Sequence, residues 1–339
     1  MKSVKDNSQK HILIRLPNWV GDVIMALPFI DAVKKTFPEH LIHVVIKKGL
    51  EDIISFTEGI DTISTYSKKE YKGLIGGYKF GKQLSKKFNY EFFYCLPNSF
   101  SSAWIGYFTQ SKNRIGFKNE MRNFLLNEAC AKPTGQHRVN DYLHLLKEFS
   151  PIDAAEVKPS LKLREKNSLV SNTSDKKNLL LNINSEAFSR RIPIESAASL
   201  LLKLGETDNY IIYLTGSNKE APYVKKVLDL LPEDFRIENR AGRTSLKELF
   251  ELVGSMDFVV STDSGIAHIA NAFGVNTVVI FGAGDERNTR PFNTQNLKII
   301  RKPDLACAPC VSNKCIFRTP KCISDLNMER VVTALRLFK

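Results

Sequence analysis

The sequence predicts an α/β protein built of two Rossmann-like parallel-sheet domains in tandem, facing a central ligand cleft. Three observations predict it. The 339 residues are enough for two domains at roughly 150 residues each. Short continuous apolar strands alternate with helical stretches, the pattern of parallel βαβ units whose strands are buried on both faces. This alternation lapses once, between Ser150 and Asn178, in a polar and charged stretch, and then restarts.

Each element follows from its pattern. Ile12-Leu13-Ile14 reads as the first strand. A helix follows over about 22–36, with Val23, Leu27, Ile30 and Val33 at helical spacing. Strands are expected at 41–46 and 90–96. Beyond the lapse come a strand at 178–183 and a helix at 193–204 with Pro193 near its first turn. A strand at 210–214 precedes helices at 220–231 and 245–253. The remaining pairs are a strand at 258–261 with a helix at 264–273, and a strand at 277–281. The segment 327–338 is amphipathic and could pack back across either domain. These readings place an N-terminal domain at 1–165, a C-terminal domain at 166–322 and a terminal helical segment at 323–339.

Composition sets bounds on the function. An apolar fraction of 43% with 25% charged residues excludes disorder, collagen and coiled coil. A chain of this length can bury about three quarters of its unfolded surface, so folding requires neither disulfide nor metal. No run of 18 apolar residues occurs. The first ten residues are polar and Arg15 breaks the apolar stretch after them, so a cytosolic chain without a secretory signal is expected. Lys and Arg number 49 against 36 acids, a net charge of +13. Residues 1–150 hold 22 bases and 14 acids, net +8, and the remainder 27 and 22, net +5. The densest segment, 66–90, has seven Lys and one acid, Glu70. Such a field suits nucleic acid, a phosphorylated sugar or an acidic membrane surface. A solvated lysine face is the plainer alternative.

Four of six cysteines crowd into Cys307, Cys310, Cys315 and Cys322. In a cytosolic chain that clustering suits metal binding or reactive thiols better than disulfides, although the spacing matches no standard zinc-finger pattern. Cys95 and Cys130, single among apolar neighbours, are expected in the core.

Ligands of open α/β sheets bind at the carboxyl ends of strands, so the turns after strands are informative. In Leu16-Pro17-Asn18-Trp19-Val20-Gly21-Asp22, Gly21 permits close backbone approach and Asp22 could accept a proton from a hydroxyl. Asp22 could equally cap the helix. In Ser261-Thr262-Asp263-Ser264-Gly265-Ile266-Ala267-His268, Ser264 and Gly265 open a helix and suit a pyrophosphate. His268 lies one turn later on the same face, while Asp263 as a cap and His268 as a core residue are the structural alternatives. In Asn184-Ser185-Glu186-Ala187-Phe188-Ser189-Arg190-Arg191, two guanidinium forks beside hydroxyls suit a diphosphate, or else form a solvated basic loop. Phe281-Gly282-Ala283-Gly284-Asp285 is a glycine turn after the last clear strand. Neither a dinucleotide fingerprint nor a P-loop lysine motif is present.

The run Arg15-Leu16-Pro17-Asn18-Trp19-Val20-Gly21-Asp22, continued by Val23-Ile24-Met25-Ala26-Leu27-Pro28, resembles the opening of the ADP-heptose:lipopolysaccharide heptosyltransferases. These are inverting enzymes of glycosyltransferase family 9 with the GT-B fold. The Asn-Trp-Val-Gly-Asp form is most similar to the heptosyltransferase II subfamily. Pro97-Asn98-Ser99-Phe100, Arg114-Ile115-Gly116-Phe117, Glu120-Met121-Arg122, the 262–268 motif and the late cysteines are similar as well. The likeness spans residue 12 to about 335.

The resemblance implies that Asp22 is the catalytic base and that Asp263, Ser264, Gly265 and His268 hold the donor. Gly282 is expected beside the same donor. Ser185 and one of Arg190 and Arg191 would take the phosphate-contacting places, where the family usually has a lysine. Asn18, Arg122 and His137 would meet an anionic acceptor. Some relatives carry an acid where Asn218 stands. The implied donor is ADP-L-glycero-D-manno-heptose, and the implied acceptor is the lipopolysaccharide inner core, with the second heptose placed on heptosyl-Kdo2-lipid A. No cofactor is required, and a metal would belong to the cysteine cluster. The enzyme would work at the cytoplasmic face of the inner membrane, peripherally attached. The lysines between Lys68 and Lys87, with Tyr71, Tyr78 and Phe80 interleaved, would dock there. Rival readings are a family 9 transferase with another donor or a protein acceptor, as in iron-binding relatives that act on autotransporters, and a non-catalytic nucleotide-sugar or nucleic-acid binding protein.

Overall fold

The computed structural model describes residues 9–119, 121–150, 157–163, 170, 175–317 and 319–338. Glu120 and most of the polar stretch after Ser150 lie outside the described residues. Two compact units are present, Met1–Pro159 and Ser160–Lys339.

The first unit is a six-stranded parallel sheet with helices between its strands. Its elements are β1 (His11–Arg15), α1 (Val20–Thr36), β2 (Leu41–Lys47), β3 (Thr62–Tyr66), α2 (Gly73–Lys87), β4 (Tyr90–Cys95), α3 (Phe100–Phe108), β5 (Asn113–Phe117), β6 (Glu128–Cys130) and α4 (Arg138–Lys147). The strand order is β3-β2-β1-β4-β5-β6. Every residue of β1 is buried, as a central parallel strand covered on both faces requires. It pairs in parallel with β2 (Ile12 with Ile42) and, past a register shift between His11 and Ile12, with β4 (Ile12 with Phe92). α1 buries Val23, Leu27, Ile30 and Val33, and its terminal Lys34 and Lys35 favour the helix dipole.

Helix α2 carries four glycines, so no apolar periodicity announces it. Packing against α3 explains one of them. A Cβ on Gly81 would stand 2.5 Å from the Ile105 carbonyl oxygen, so only glycine lets the helices approach this closely. Of the three aromatics expected on the basic face, only Tyr78 is exposed. Phe80 is buried, and the half-buried Tyr71 stacks on Tyr66. A buried histidine on β2, His43, meets the Tyr90 hydroxyl (2.7 Å) and the Ser64 hydroxyl (2.9 Å) through its ring nitrogens. Burial, aided by Lys87 and His11, pushes its pKa down to about 3.

The second unit repeats the plan: β7 (Lys177–Asn182), α5 (Ile194–Glu206), β8 (Tyr210–Leu214), α6 (Ala221–Leu228), β9 (Glu238–Asn239), α7 (Leu246–Gly254), β10 (Phe258–Thr262), α8 (Gly265–Ala272), β11 (Asn276–Phe281), α9 (Glu286–Thr289), β12 (Leu297–Arg301), α10 (Lys321–Ser324) and α11 (Glu329–Arg336). Its strand order, β12-β11-β10-β7-β8-β9, is the order of the first sheet read from the other edge. Ser245 and Glu248 form a capping box at the start of α7. The C-terminal helix α11 packs on this unit's own α5, β11 and β12, and Val331, Val332, Ala334 and Leu335 join its core. No helix among the described residues is long and apolar enough to cross a membrane.

Candidate active site

Strand order reverses between β1 and β4 in the first unit, which opens a crevice at their carboxyl ends. A pocket of about 300 Å³ occupies it, lined by the turns after both strands and by α4. Asn18, Trp19, Asp22, Asn98, Ser99, Lys132, Arg138 and Tyr142 all contribute to its wall. Trp19 holds the N-cap position of α1, so Asp22 sits within the first turn rather than capping it. Arg138 Nη1 donates to Asp22 Oδ1 at 3.0 Å. Tyr142, one turn further along α4, hydrogen-bonds to Arg138 and lies in the field of Asp22. Burial raises its hydroxyl pKa well above the ordinary tyrosine value.

Asn18 is oriented from below: Arg15 Nη2 donates to its Oδ1 at 2.6 Å. Arg15 is fully buried and its other nitrogen bonds the carbonyls of Leu16 and Val45. Burial lowers its pKa to about 10, so it remains a cation at neutral pH. Ser99 caps α3 by accepting from Ser102 N. His137 caps α4 through Nδ1, which accepts from Val139 N at 3.2 Å. Lys132 pairs with Asp141 at 3.1 Å.

Two residues expected at the acceptor do not line this pocket. Arg122 is fully buried and spends its guanidinium on the carbonyls of Phe117 and Pro97, beneath the pocket floor. His137 is likewise buried, behind Arg138, as the cap of that residue's helix. Neither lines the pocket, because each is consumed in holding a loop or helix that does. Conversely, Arg138, Lys132 and Tyr142 carry no sequence motif. Arg138 is 116 positions from Asp22, and the one available signal was the amphipathic spacing of Val139, Tyr142, Leu143 and Leu146.

In the second unit the reversal falls between β7 and β10. A buried polar network fills it. Asn182 Nδ2 reaches Ser264 Oγ (2.9 Å), Ser261 Oγ (3.1 Å) and the Asn184 carbonyl (3.2 Å). Thr262 Oγ1 donates to the same carbonyl. Ser264 stands at the N-cap of α8 with its hydroxyl turned to Asn182 and Ser261, so no side chain caps the first N–H groups, Gly265 included. Uncapped N–H groups at a helix start favour an anion. His268 is buried one turn along.

Asp263 is no helix cap. Arg190 Nη1 approaches its Oδ2 at 3.3 Å. Burial raises its carboxyl pKa, with Arg190 opposing. The glycine turn after β11 closes over it: a Cβ on Gly284 would stand 2.1 Å from Asp263 Oδ2. Gly282 gives its carbonyl to Arg301 at 3.2 Å. Arg191 donates to the Ser185 carbonyl at 3.0 Å and lies 4.7 Å over the Tyr223 ring. The Nε–H groups of Arg190 and Arg191 are buried with no protein partner among the described residues. Such groups fit an anionic ligand.

The cysteine segment crosses this neighbourhood. Val311 N donates to the Ala283 carbonyl at 2.8 Å, and Ser189 N to the Asn313 carbonyl at 3.4 Å. Cys307 and Cys310 are exposed, Cys315 half-buried, and Cys322 buried, with its Sγ against Gly282. Burial, with the other three thiols, pushes Cys322 up to about 11 and keeps it a neutral thiol. Among the described residues no group of three or more His, Cys, Asp or Glu side chains is placed to hold a metal ion.

Two Rossmann-like parallel units with one strand order define an α/β protein of the GT-B class. Residues 78–320 match glycosyltransferase family 9 (heptosyltransferase), and the chain belongs to that family. It is 27% identical over 333 residues to lipooligosaccharide heptosyltransferase 2 of Campylobacter jejuni serotype O:6, covering 96% of this chain and 98% of that one. It is 26% identical over 307 residues to lipopolysaccharide heptosyltransferase 2 of Escherichia coli K12, covering 86% and 87%. The solved structure of E. coli ADP-heptose lipopolysaccharide heptosyltransferase II shares the fold, with a TM-score of 0.80, 23% identity, and coverage of 96% of this chain and 97% of that one.

Proposed function

We propose that this glycosyltransferase moves a heptose from ADP-L-glycero-D-manno-heptose to the inner core of lipopolysaccharide, as the second heptose on heptosyl-Kdo2-lipid A. The observation that carries the reading is the Asp22 carboxylate at the strand-order reversal of the first unit, on a pocket wall and gripped by Arg138. The relatives' names support the substrates. In this reading the first unit takes the acceptor and the second takes the donor.

The acceptor hydroxyl loses its proton to Asp22 as its oxygen attacks the anomeric carbon. The bond from that carbon to the ADP oxygen breaks in the same displacement, so configuration inverts. A positioned carboxylate contributes about 10²–10⁴-fold in such a step. Arg138 holds one carboxylate oxygen and thereby aims the other, which makes it a positioning residue. The departing diphosphate is stabilised by Arg190, Arg191 and the N–H groups at the start of α8, as fixed dipoles and cations do where charge develops. Ser185, Asp263, Ser264, Gly265, His268 and Gly282 shape that cradle. A peripheral, salt-sensitive contact with an anionic membrane surface completes the reading, because the implied acceptor is lipid-linked.

The direct test supplies ADP-heptose and acceptors truncated to zero, one or two heptoses, with products weighed by mass spectrometry. A gain of one heptose by the one-heptose acceptor alone is expected. Transfer only to the acceptor without heptose would replace the second-heptose assignment, and no transfer to any would overturn the substrate class.

A further inference from the structure

The α2–α3 face of the first unit leaves a group of large apolar side chains in solvent. Leu74, Ile75, Tyr78, Tyr107, Met121 and Phe124 are exposed, Ile75 and Phe124 by 71% each. They belong to one surface. Phe124 lies 6.3 Å from Phe100, which stacks on Trp104 at 5.8 Å. Trp104 donates to the Leu74 carbonyl at 2.8 Å and meets Phe108 at 4.8 Å, and Phe108 in turn touches Tyr78 and Tyr107. A contiguous apolar surface of this kind marks an interaction site.

Charge selects the occupant. Exposed Lys68, Lys69, Lys72 and Lys79 border the apolar group. No acid occurs on α2, on α3 or in residues 121–125, and Glu70 is spent on Lys48. Two copies of this surface would bring lysine against lysine with no carboxylate on α2 or α3 to answer, so a second copy of the chain does not fit. An anionic bilayer fits: basic groups meet headgroups while apolar tips enter the acyl boundary. Position adds a reason. Ser99, on the pocket wall, caps α3, so the helix bearing Trp104 and Tyr107 starts at the pocket and runs about 13 Å from it.

We infer that this face is a lipid-docking surface that inserts Leu74, Ile75, Tyr78 and Phe124 into the anionic leaflet displaying the acceptor, so that the acceptor's sugars enter the Asp22 pocket while its acyl chains stay embedded. The inference rests on the acceptor reading above, but its test does not. The full chain, the double variant Ile75→Ser/Phe124→Ser and the double variant Lys72→Glu/Lys79→Glu are floated with phosphatidylglycerol-containing and pure phosphatidylcholine vesicles, at low and high salt. Wild type should prefer the anionic vesicles and lose much of its binding at high salt. The apolar variant should lose about tenfold in partitioning, and the lysine variant should lose its preference for anionic lipid. Turnover of a deacylated acceptor should be unchanged in the apolar variant, while turnover of the bilayer-embedded acceptor falls. Equal flotation of wild type and the apolar variant would overturn the inference. A dimer in ultracentrifugation that the apolar variant dissolves would overturn it too, by assigning the face to self-association. Failure of wild type to use the deacylated acceptor would count against the acceptor reading alone, since flotation needs no acceptor.

Discussion

The two units run the same strand order and reverse it at equivalent places, yet they furnish the reversal with opposite chemistry. In the first, a carboxylate faces a pocket and is held by one cation, Arg138. In the second, neutral amides and hydroxyls brace an uncapped helix start, and two arginines supply positive charge. Topology fixes where a ligand sits, and the few residues after the strands decide what it meets. In the proposed reading one unit takes a proton and the other holds an anion. The largest test of that contrast is Asp22→Asn. Turnover should fall by about 10²–10⁴-fold while ADP binding, measured by calorimetry, stays at the wild-type value. Near wild-type turnover would remove the base from the first unit and dissolve the contrast.

Acid should separate the units in a second way. His43 is buried neutral, with its pKa pushed down to about 3. Its contribution is therefore present above the unfolded value of about 6.5 and is lost progressively as pH falls toward 3, on the order of 5 kcal/mol in full. Asp263 runs the other way. Its folded pKa is raised by burial, so the stability it contributes is present in acid and is lost as pH rises through that raised value. Hydrogen exchange on the intact chain, corrected for intrinsic rates, should show β1 and β2 losing protection between neutral pH and pH about 4, ahead of β7 and β10. Simultaneous loss across both units would mean that neither group governs local stability. Arg190→Ala should steepen the loss around Asp263 as pH rises, because the cation that offsets its burial is gone.

Arg138 sharpens the comparison further, since its partner Asp22 lines a pocket, whereas the paired carboxylate of the second unit, Asp263 with Arg190, is buried. Arg138→Gln should cut kcat by about 10²-fold, the cost of a misplaced catalytic group, with donor affinity unchanged and part of the rate returned by Arg138→Lys. A merely structural role would instead lower the melting temperature and leave kcat of the folded fraction intact.

Much of this was legible beforehand, and the failures have physical reasons. Continuous apolar runs announced β1, β2, β4, β7, β8, β10 and β11, because strands buried on both faces leave no polar alternation to confuse them. Asp22 and the 263–265 turn stood out for the same topological reason: they follow those strands. Helix α2 hid behind four glycines, and the reason for one of them shows only once Gly81 meets the Ile105 carbonyl of α3. β6 and β9, of three and two residues, are too short to show any period. The burial of Arg122 was not legible, because a residue type usual at the surface bonds inside to the carbonyls of Phe117 and Pro97. Arg138 was invisible because its meaning lies in a partner 116 residues away.

The smallest effect is expected at the cysteines, and it bears on the unit that holds the anion cradle. Cys322 is packed against Gly282 and neutral, whereas Cys307 and Cys310 are exposed. The segment between them is tied to the cradle by two backbone bonds, Val311 to Ala283 and Ser189 to Asn313, and by the Ser189 hydroxyl, which donates to the Ser312 carbonyl. Those bonds do not depend on the exposed thiols. Cys307→Ser/Cys310→Ser should therefore shift the melting temperature and donor affinity within error, as surface substitutions away from special features do. Metal analysis of the purified wild type and variant decides the alternative. A stoichiometric metal in wild type that the variant loses, together with weaker ADP binding, would mean that the thiols gather in solution and that the cradle is braced by a metal rather than by its backbone.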